Sequence, residues 1–203
     1  MKTGTIADEG GEKEYTDRVL TGLTLKGKAV TTRRFYGCTF RNCEFTGAEF
    51  RFCRFNDCRF ESCNLSLVKV TGSSFAGTVF KNSKLTGINW GEAAWSRLKL
   101  PAALRFEDCV LTDSSFLGLF LRETVMTKCL AKGADFREAD LSLCDLSGTD
   151  LSGALFGRTN LAGANLDQAR NYAIRPADNN LKDARFSMPE AMALLYCLDI
   201  KLV

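Results

Sequence analysis

The sequence predicts a solenoid, because one short period governs most of it. From Phe35 to Leu65 a large apolar residue stands at every fifth position: Phe35, Phe40, Phe45, Phe50, Phe55, Phe60 and Leu65. Two residues ahead of most of these sits a small one: Cys38, Cys43, Ala48, Cys53, Cys58 and Cys63. Such a period matches neither the 3.6 of a helix nor the 2 of a strand. A fixed short repeat belongs to stacked coils, each burying its apolar side against its neighbours.

Composition excludes several classes of function. The 203 residues are enough for one or two domains, and an unbroken repeat makes them one. The apolar fraction of 45% is ordinary, and a net charge of +3 is too small to imply nucleic acid or membrane by itself. The chain has no histidine, which excludes Cys/His zinc sites and Ser-His or Cys-His dyads. No basic-then-apolar leader and no 18-residue apolar run is present, so a soluble, cytoplasmic protein is expected. No cofactor and no metal is expected. Of the nine cysteines, eight (Cys38, Cys43, Cys53, Cys58, Cys63, Cys109, Cys129, Cys144) stand two places before a repeat centre. Ala, Ser or Thr fills the same slot elsewhere, as at Ala48, Ser73, Thr78, Ser83, Ser114, Thr124, Ala134 and Ala139. The slot asks for a small buried side chain, which a free thiol supplies in a reducing compartment.

Taken in order, residues 1–19 are polar, mixed in charge and without a repeat centre, and read as a loose leader. Leu20, Leu25 and Val30 fit the register weakly. From Phe35 it holds through Val70, Phe75, Phe80, Leu85 and Trp90, and extends to Trp95. It then breaks at 96–105, which carries Pro101 and lacks the small residues. New centres follow at Phe106, Leu111, Phe116, Leu121, Met126, a weak Ala131, Phe136, Leu141, Leu146, Leu151, Phe156, Leu161 and Leu166. Trp95 to Phe106 is one residue more than two repeats, so one extra residue is expected to bulge out. Gly37, Asn42, Gly47, Gly72, Gly77, Asn82 and Gly87 suit the corners. After Leu166 the pattern fades, and Leu181 and Phe186 recover it. In the tail 187–203, Ser187 and Glu190 form a capping-box pattern around Pro189, and Met188, Met192, Leu195 and Leu198 fall at helical spacing. A short amphipathic helix over 188–198 is predicted.

The run GADFREADLSLCDLSGTDLSGALFGRTNLAGANL repeats A-[DN]-[LF]-x-x, and here the chain resembles the pentapeptide-repeat family over residues 20–186. The resemblance implies an all-β fold, a right-handed quadrilateral β-helix with four repeats per coil, closed by the short C-terminal α-helix. Residues twenty apart would then stack at about 4.8 Å, and each buried Leu or Phe would contribute roughly 1.5–3 kcal/mol. The open ends of such a rod need caps.

The chain is similar to the quinolone-resistance members of the family (the Qnr and MfpA type). That similarity implies a binding protein for type II topoisomerase, DNA gyrase or topoisomerase IV, that protects it from fluoroquinolones. A scaffold with another partner is the alternative. Three sets of residues are candidates. The break supplies Trp95, Arg97, Leu98, Lys99, Leu100 and Arg105 as a projecting contact. Asp135, Glu138, Asp140, Asp145 and Asp150 make an acidic surface, the four aspartates forming a ring round one coil rather than a stripe; equally, Asp suits its slot by hydrogen-bonding the corner. Met188, Met192, Leu195 and Leu198 cover the last coil, join two copies, or do both. The apolar outward residues Val110, Phe120, Val125 and Leu130 sit under the loop or form a contact patch. The first 105 residues carry 17 Lys and Arg against 10 Asp and Glu, while the charge of 106–170 is reversed in sign. No catalytic residue, no direct nucleic-acid contact and no membrane contact is expected.

Overall fold

The structure is a computed structural model that describes residue 6 and residues 13–96 and 103–198. It is the quadrilateral β-helix that the repeat predicts. Each repeat contributes two or three extended residues whose centre points inward and whose flanks point outward, as in Arg54–Asn56 and Arg59–Glu61. A corner follows, and the next repeat starts a new face.

Face 1 stacks Glu14–Thr16, Arg34–Tyr36 and Arg54–Asn56 in parallel. Face 2 is the longest ladder, running through Val19–Thr21, Thr39–Arg41, Arg59–Glu61, Val79–Lys81, Arg105–Glu107 and Val125–Thr127. Face 3 is a chain of single bridges, Thr24 to Glu44, Asn64 and Lys84, then Val110, Leu130, Asp150 and Arg170. Face 4 begins with Ala29–Thr31 against Glu49–Arg51. Inside, phenylalanines of one face stack ring on ring: Phe40 on Phe60 at 4.6 Å, Phe60 on Phe80 at 5.0 Å, Phe80 on Phe106 at 5.3 Å. Neighbouring faces meet edge to face, an arrangement that the ring quadrupoles favour.

The small slot is more than small. Its thiol or hydroxyl donates to the carbonyl of a centre residue 23 positions earlier: Cys58 Sγ to Phe35 O at 3.4 Å, Thr78 Oγ1 to Phe55 O at 2.9 Å, Thr149 Oγ1 to Met126 O at 2.6 Å. The same atom accepts from a backbone N–H one coil back, as Ser83 Oγ does from Cys63 N and Thr149 Oγ1 from Cys129 N. Backbone groups that the corner turns away from their neighbours are thus satisfied without water. All eight repeat cysteines are free and buried. Burial pushes the Cys58 and Cys144 thiols up to about 12.

The structure corrects three expectations. First, the β-helix does not begin at residue 20. Tyr15 is a repeat centre, buried and stacked on Phe35 at 4.9 Å, with the Arg18 guanidinium 5.3 Å from its ring. A single tyrosine among charged residues hides the register there. Second, the break removes more than one residue from the wall. Val79 pairs with Arg105, a step of 26, where Arg59 pairs with Val79, a step of 20. The centre Phe106 thus takes the face after that of Trp95, and this coil is longer than the others by a whole repeat plus one residue. Leu104 is buried in the slot that most often takes a small residue, as Val68 and Ile88 also are. Third, the C-terminal helix is Met192–Tyr196 (α1), shorter than 188–198, and no capping box forms. Ser187 Oγ accepts instead from Gln168 N at 2.7 Å, and Glu190 from Asn171 N at 3.4 Å. Amides left open by the last coil take both side chains before the helix can.

Candidate binding surface

Repetition makes most of the rod alike, so recognition is best sought where the wall departs from its pattern. The largest departure is the corner between faces 1 and 2 at 96–105. Trp95 is half-buried at the end of face 1, its indole N–H donating to Trp90 O at 2.8 Å, so its ring belongs as much to the wall as to the surface. Just before it, Trp90–Glu92 forms a 3-10 turn capped by the Asn89 side chain, which accepts from Gly91 N. Arg105, on the far side of the break, is exposed and pairs with Glu107 at 3.3 Å. Arg97, Leu98, Lys99 and Leu100 lie outside the described residues. The four outward apolar residues do not make one patch. Phe120 stands on face 1 one coil past the break, Val125 on face 2 directly above Arg105, and Val110 and Leu130 together on face 3.

The aspartates form the ring that their spacing predicts, one on each face. Their carboxylates are largely committed to the wall. Asp140, Asp145 and Asp150 each accept from the N–H two residues on, all at 3.0 Å, which closes the corner as an Asx turn. The next coil adds a second bond: Asn160 to Asp140 at 3.0 Å, Asn165 to Asp145 at 3.0 Å, Arg170 to Asp150 at 3.2 Å. Asp135 takes a two-pronged contact from Arg137 at 2.9 and 2.8 Å, and that guanidinium holds its carboxyl below the usual carboxylate range. Burial alone would raise the Asp150 carboxyl; bonds from Ser152, Asn171 and Arg170 outweigh it and bring the group down to about 2. Glu138, more exposed, pairs with Arg158 on the next coil. Charge elsewhere is laddered the same way, Arg41 with Glu61 and Lys69 with Glu49 twenty residues apart.

At the C-terminal end, the core is covered by Ala193 and Leu194, not by the four residues that helical spacing singled out. Met192 and Leu195 are half-buried, and Met188 and Leu198 are exposed, at 69% and 46%, beside Tyr196 at 68%. One copy therefore caps its own last coil and still presents apolar surface. Sequence reasoning missed a further departure, Phe52. It is an aromatic in the corner slot two residues after a centre, which Gly fills most often and polar residues fill at most other corners, and that mismatch was a usable signal. Among the described residues no helix is long and apolar enough to cross a membrane.

Comparison with known proteins bears on the whole rod. The family described as pentapeptide repeat region matches residues 33–104, and that described as pentapeptide repeats (8 copies) matches 105–142 and 139–170. No curated protein matches the sequence. Among solved structures, a trypsin-treated form of QnrB1, a plasmid-mediated fluoroquinolone resistance protein, superposes with a TM-score of 0.69 at 18% identity, covering 94% of this chain and 97% of that one. A second trypsin-treated form gives 0.63 at 19% identity, covering 94% and 100%. Full-length QnrB1 gives 0.52 at 19% identity, covering 92% and 100%.

Proposed function

The chain belongs to the pentapeptide-repeat family, and from that premise we propose that it is a non-enzymatic binding protein of the cytoplasm that engages a type II topoisomerase, DNA gyrase or topoisomerase IV, and protects it from fluoroquinolones. The observation that carries the reading is the interrupted corner. A rod packed to its axis offers an enzyme only its outside, and the repeat is broken most where the coil step between faces 1 and 2 is six residues longer than elsewhere. Likeness in fold to QnrB1 over nearly the full length of both chains supports the same reading. Contact is made by Trp95, Arg105 and the segment between them. Two copies join through the C-terminal end, where Met188, Tyr196 and Leu198 are left uncovered on a single chain.

A second reading has its own support. The acidic ring is bonded into the corners, so a DNA-like charged surface is weaker here than a count of aspartates suggests. A scaffold for a different protein partner fits that observation.

Supercoiling by purified gyrase, with and without a fluoroquinolone, separates the two. The intact chain is expected to restore supercoiling in the presence of drug. A variant whose 96–105 segment is shortened to the four residues that a regular repeat places between two centres is expected to fold and to lose the effect. Absence of any effect of the intact chain at micromolar concentration overturns the topoisomerase reading and leaves the scaffold. Sedimentation of the intact chain as a monomer at that concentration overturns the dimer.

A further inference from the structure

We propose that the notch beside Phe52 and Arg54 on face 1 is a docking site for an acidic, apolar segment of a protein partner, whatever that partner's identity. The site begins with an exposed aromatic ring at a corner. Phe52 takes a corner position with φ +54°, in the left-handed region. All twelve described glycines with positive φ sit in this same slot, two residues after a centre. Other side chains, Leu67 and Leu143 among them, take the same corner conformation, so what sets Phe52 apart is that it is the one aromatic among the described non-glycine residues with positive φ, with a ring that is 62% exposed.

The surroundings give the corner a shape. Phe52 leans along the rod over Gly72, where any Cβ would lie 2.5 Å from the ring. Beyond it the floor is built of small residues, Ser74, Ala76 and Ala94, two coils deep. Arg54 and Asn56 complete the wall, and the space enclosed is about 450 Å³. It is an open notch, suited to one apolar side chain carried by a backbone, rather than an enclosed pocket for a free small molecule. Ala94 joins it to Trp95, so the notch runs up to the interrupted corner.

Charge then selects the occupant. Arg34 pairs with Glu14, Arg41 with Glu61 and Arg51 with Glu49. Arg54, exposed at the lip of the notch, and Arg59, exposed on the adjoining face of the same coil, have no ion-pair partner among the described residues. Glu92, on the neighbouring coil toward the break, is hydrogen-bonded to Thr71 and Asn89. A partner carboxylate on Arg54, with an apolar neighbour against the Phe52 ring, satisfies both unmet features, and arginine is the residue best suited to grip a carboxylate.

The test is an amide ¹H–¹⁵N titration of the full chain with an acetylated, amidated peptide Asp-Leu-Phe-Asp-Glu. Controls replace its acids by lysine, or Leu-Phe by Gly-Ser. Shifts are expected at Gly72, Ser74, Ala76 and Ala94 with the acidic apolar peptide alone. Phe52→Gly and Arg54→Glu are expected to weaken binding at least tenfold. Phe52→Gly should leave the melting temperature unchanged or higher, because glycine accepts the left-handed backbone, so loss of binding is not loss of fold. No shifts at millimolar peptide overturns the proposal. So does an equal response to the lysine peptide, unchanged affinity in Phe52→Gly, or preference of the same resonances for a single-stranded oligothymidylate. None of these outcomes depends on gyrase.

Discussion

Replacing Phe55 by Ala removes the most heavily stacked ring of the N-terminal coils. Phe55 is 1% exposed. It lies between Phe35 and Phe75, each 5.0 Å away and nearly parallel, and meets Phe40, Phe50 and Phe60 at 5.9, 5.2 and 5.5 Å. Coils above and below are held by their backbone ladders, so the cavity cannot collapse. The loss belongs at the upper part of the usual range for a buried Phe→Ala, about 4 kcal/mol. In a chain of this size that lowers the melting temperature by roughly 8–16 °C. Phe156→Ala is the internal comparison. That ring is half-buried and has one aromatic neighbour, Phe136 at 5.5 Å, so its loss is expected to cost about 1–2 kcal/mol. Thermal melts followed by far-UV circular dichroism compare the two. A shift below about 3 °C for Phe55→Ala, or a larger one for Phe156→Ala, refutes the idea that ring stacking along the axis carries the stability.

Thr149→Val, similar in shape, removes the hydroxyl that donates to Met126 O and accepts from Cys129 N; leaving both unmet in a dry core is expected to cost about 1–3 kcal/mol, read by urea denaturation. Acid is expected to destabilise the protein between about pH 4 and pH 2: the Asp150 carboxyl sits near 2 and those of Asp135 and Glu44 are lowered, so their contribution is present above the unfolded carboxylate range and lost as pH falls through the folded values. A melting temperature that stays level from pH 5 to pH 2 contradicts this. In the native state a maleimide should label Cys197 alone, since the other eight thiols are buried, and rapid modification of several by intact-mass measurement counts against a closed core.

Much of this architecture was legible because five-residue spacing is a property of the chain itself. Phe35, Phe40 and Phe45 announce their inward direction by position alone, and every one is buried. The acidic ring was legible too, as was the alternative that Asp serves the corner, because both follow from the slot that each Asp occupies. Where reading failed, the deciding contact lay across coils. Tyr15 is recognisable as a centre only once Phe35 lies on it. The size of the break depends on which face Phe106 joins, and its stacking on Phe80 decides that. Ser187 and Glu190 have the pattern of a helix cap, yet the last coil offers amides at Gln168 and Asn171 that local sequence does not reveal.

By itself, then, the sequence determined the repeat, the inward set, the corners and the place of the interruption, since all are fixed by residues near one another in the chain. Tertiary structure decided what the exposed residues do. It turned the aspartates into corner bonds, gave the C-terminal cover to Ala193 and Leu194, and made Phe52 the wall of a notch. The physical reason is that outward side chains take their partners from the coils above and below, twenty or twenty-six residues away. Those neighbours exist only after the chain has wound.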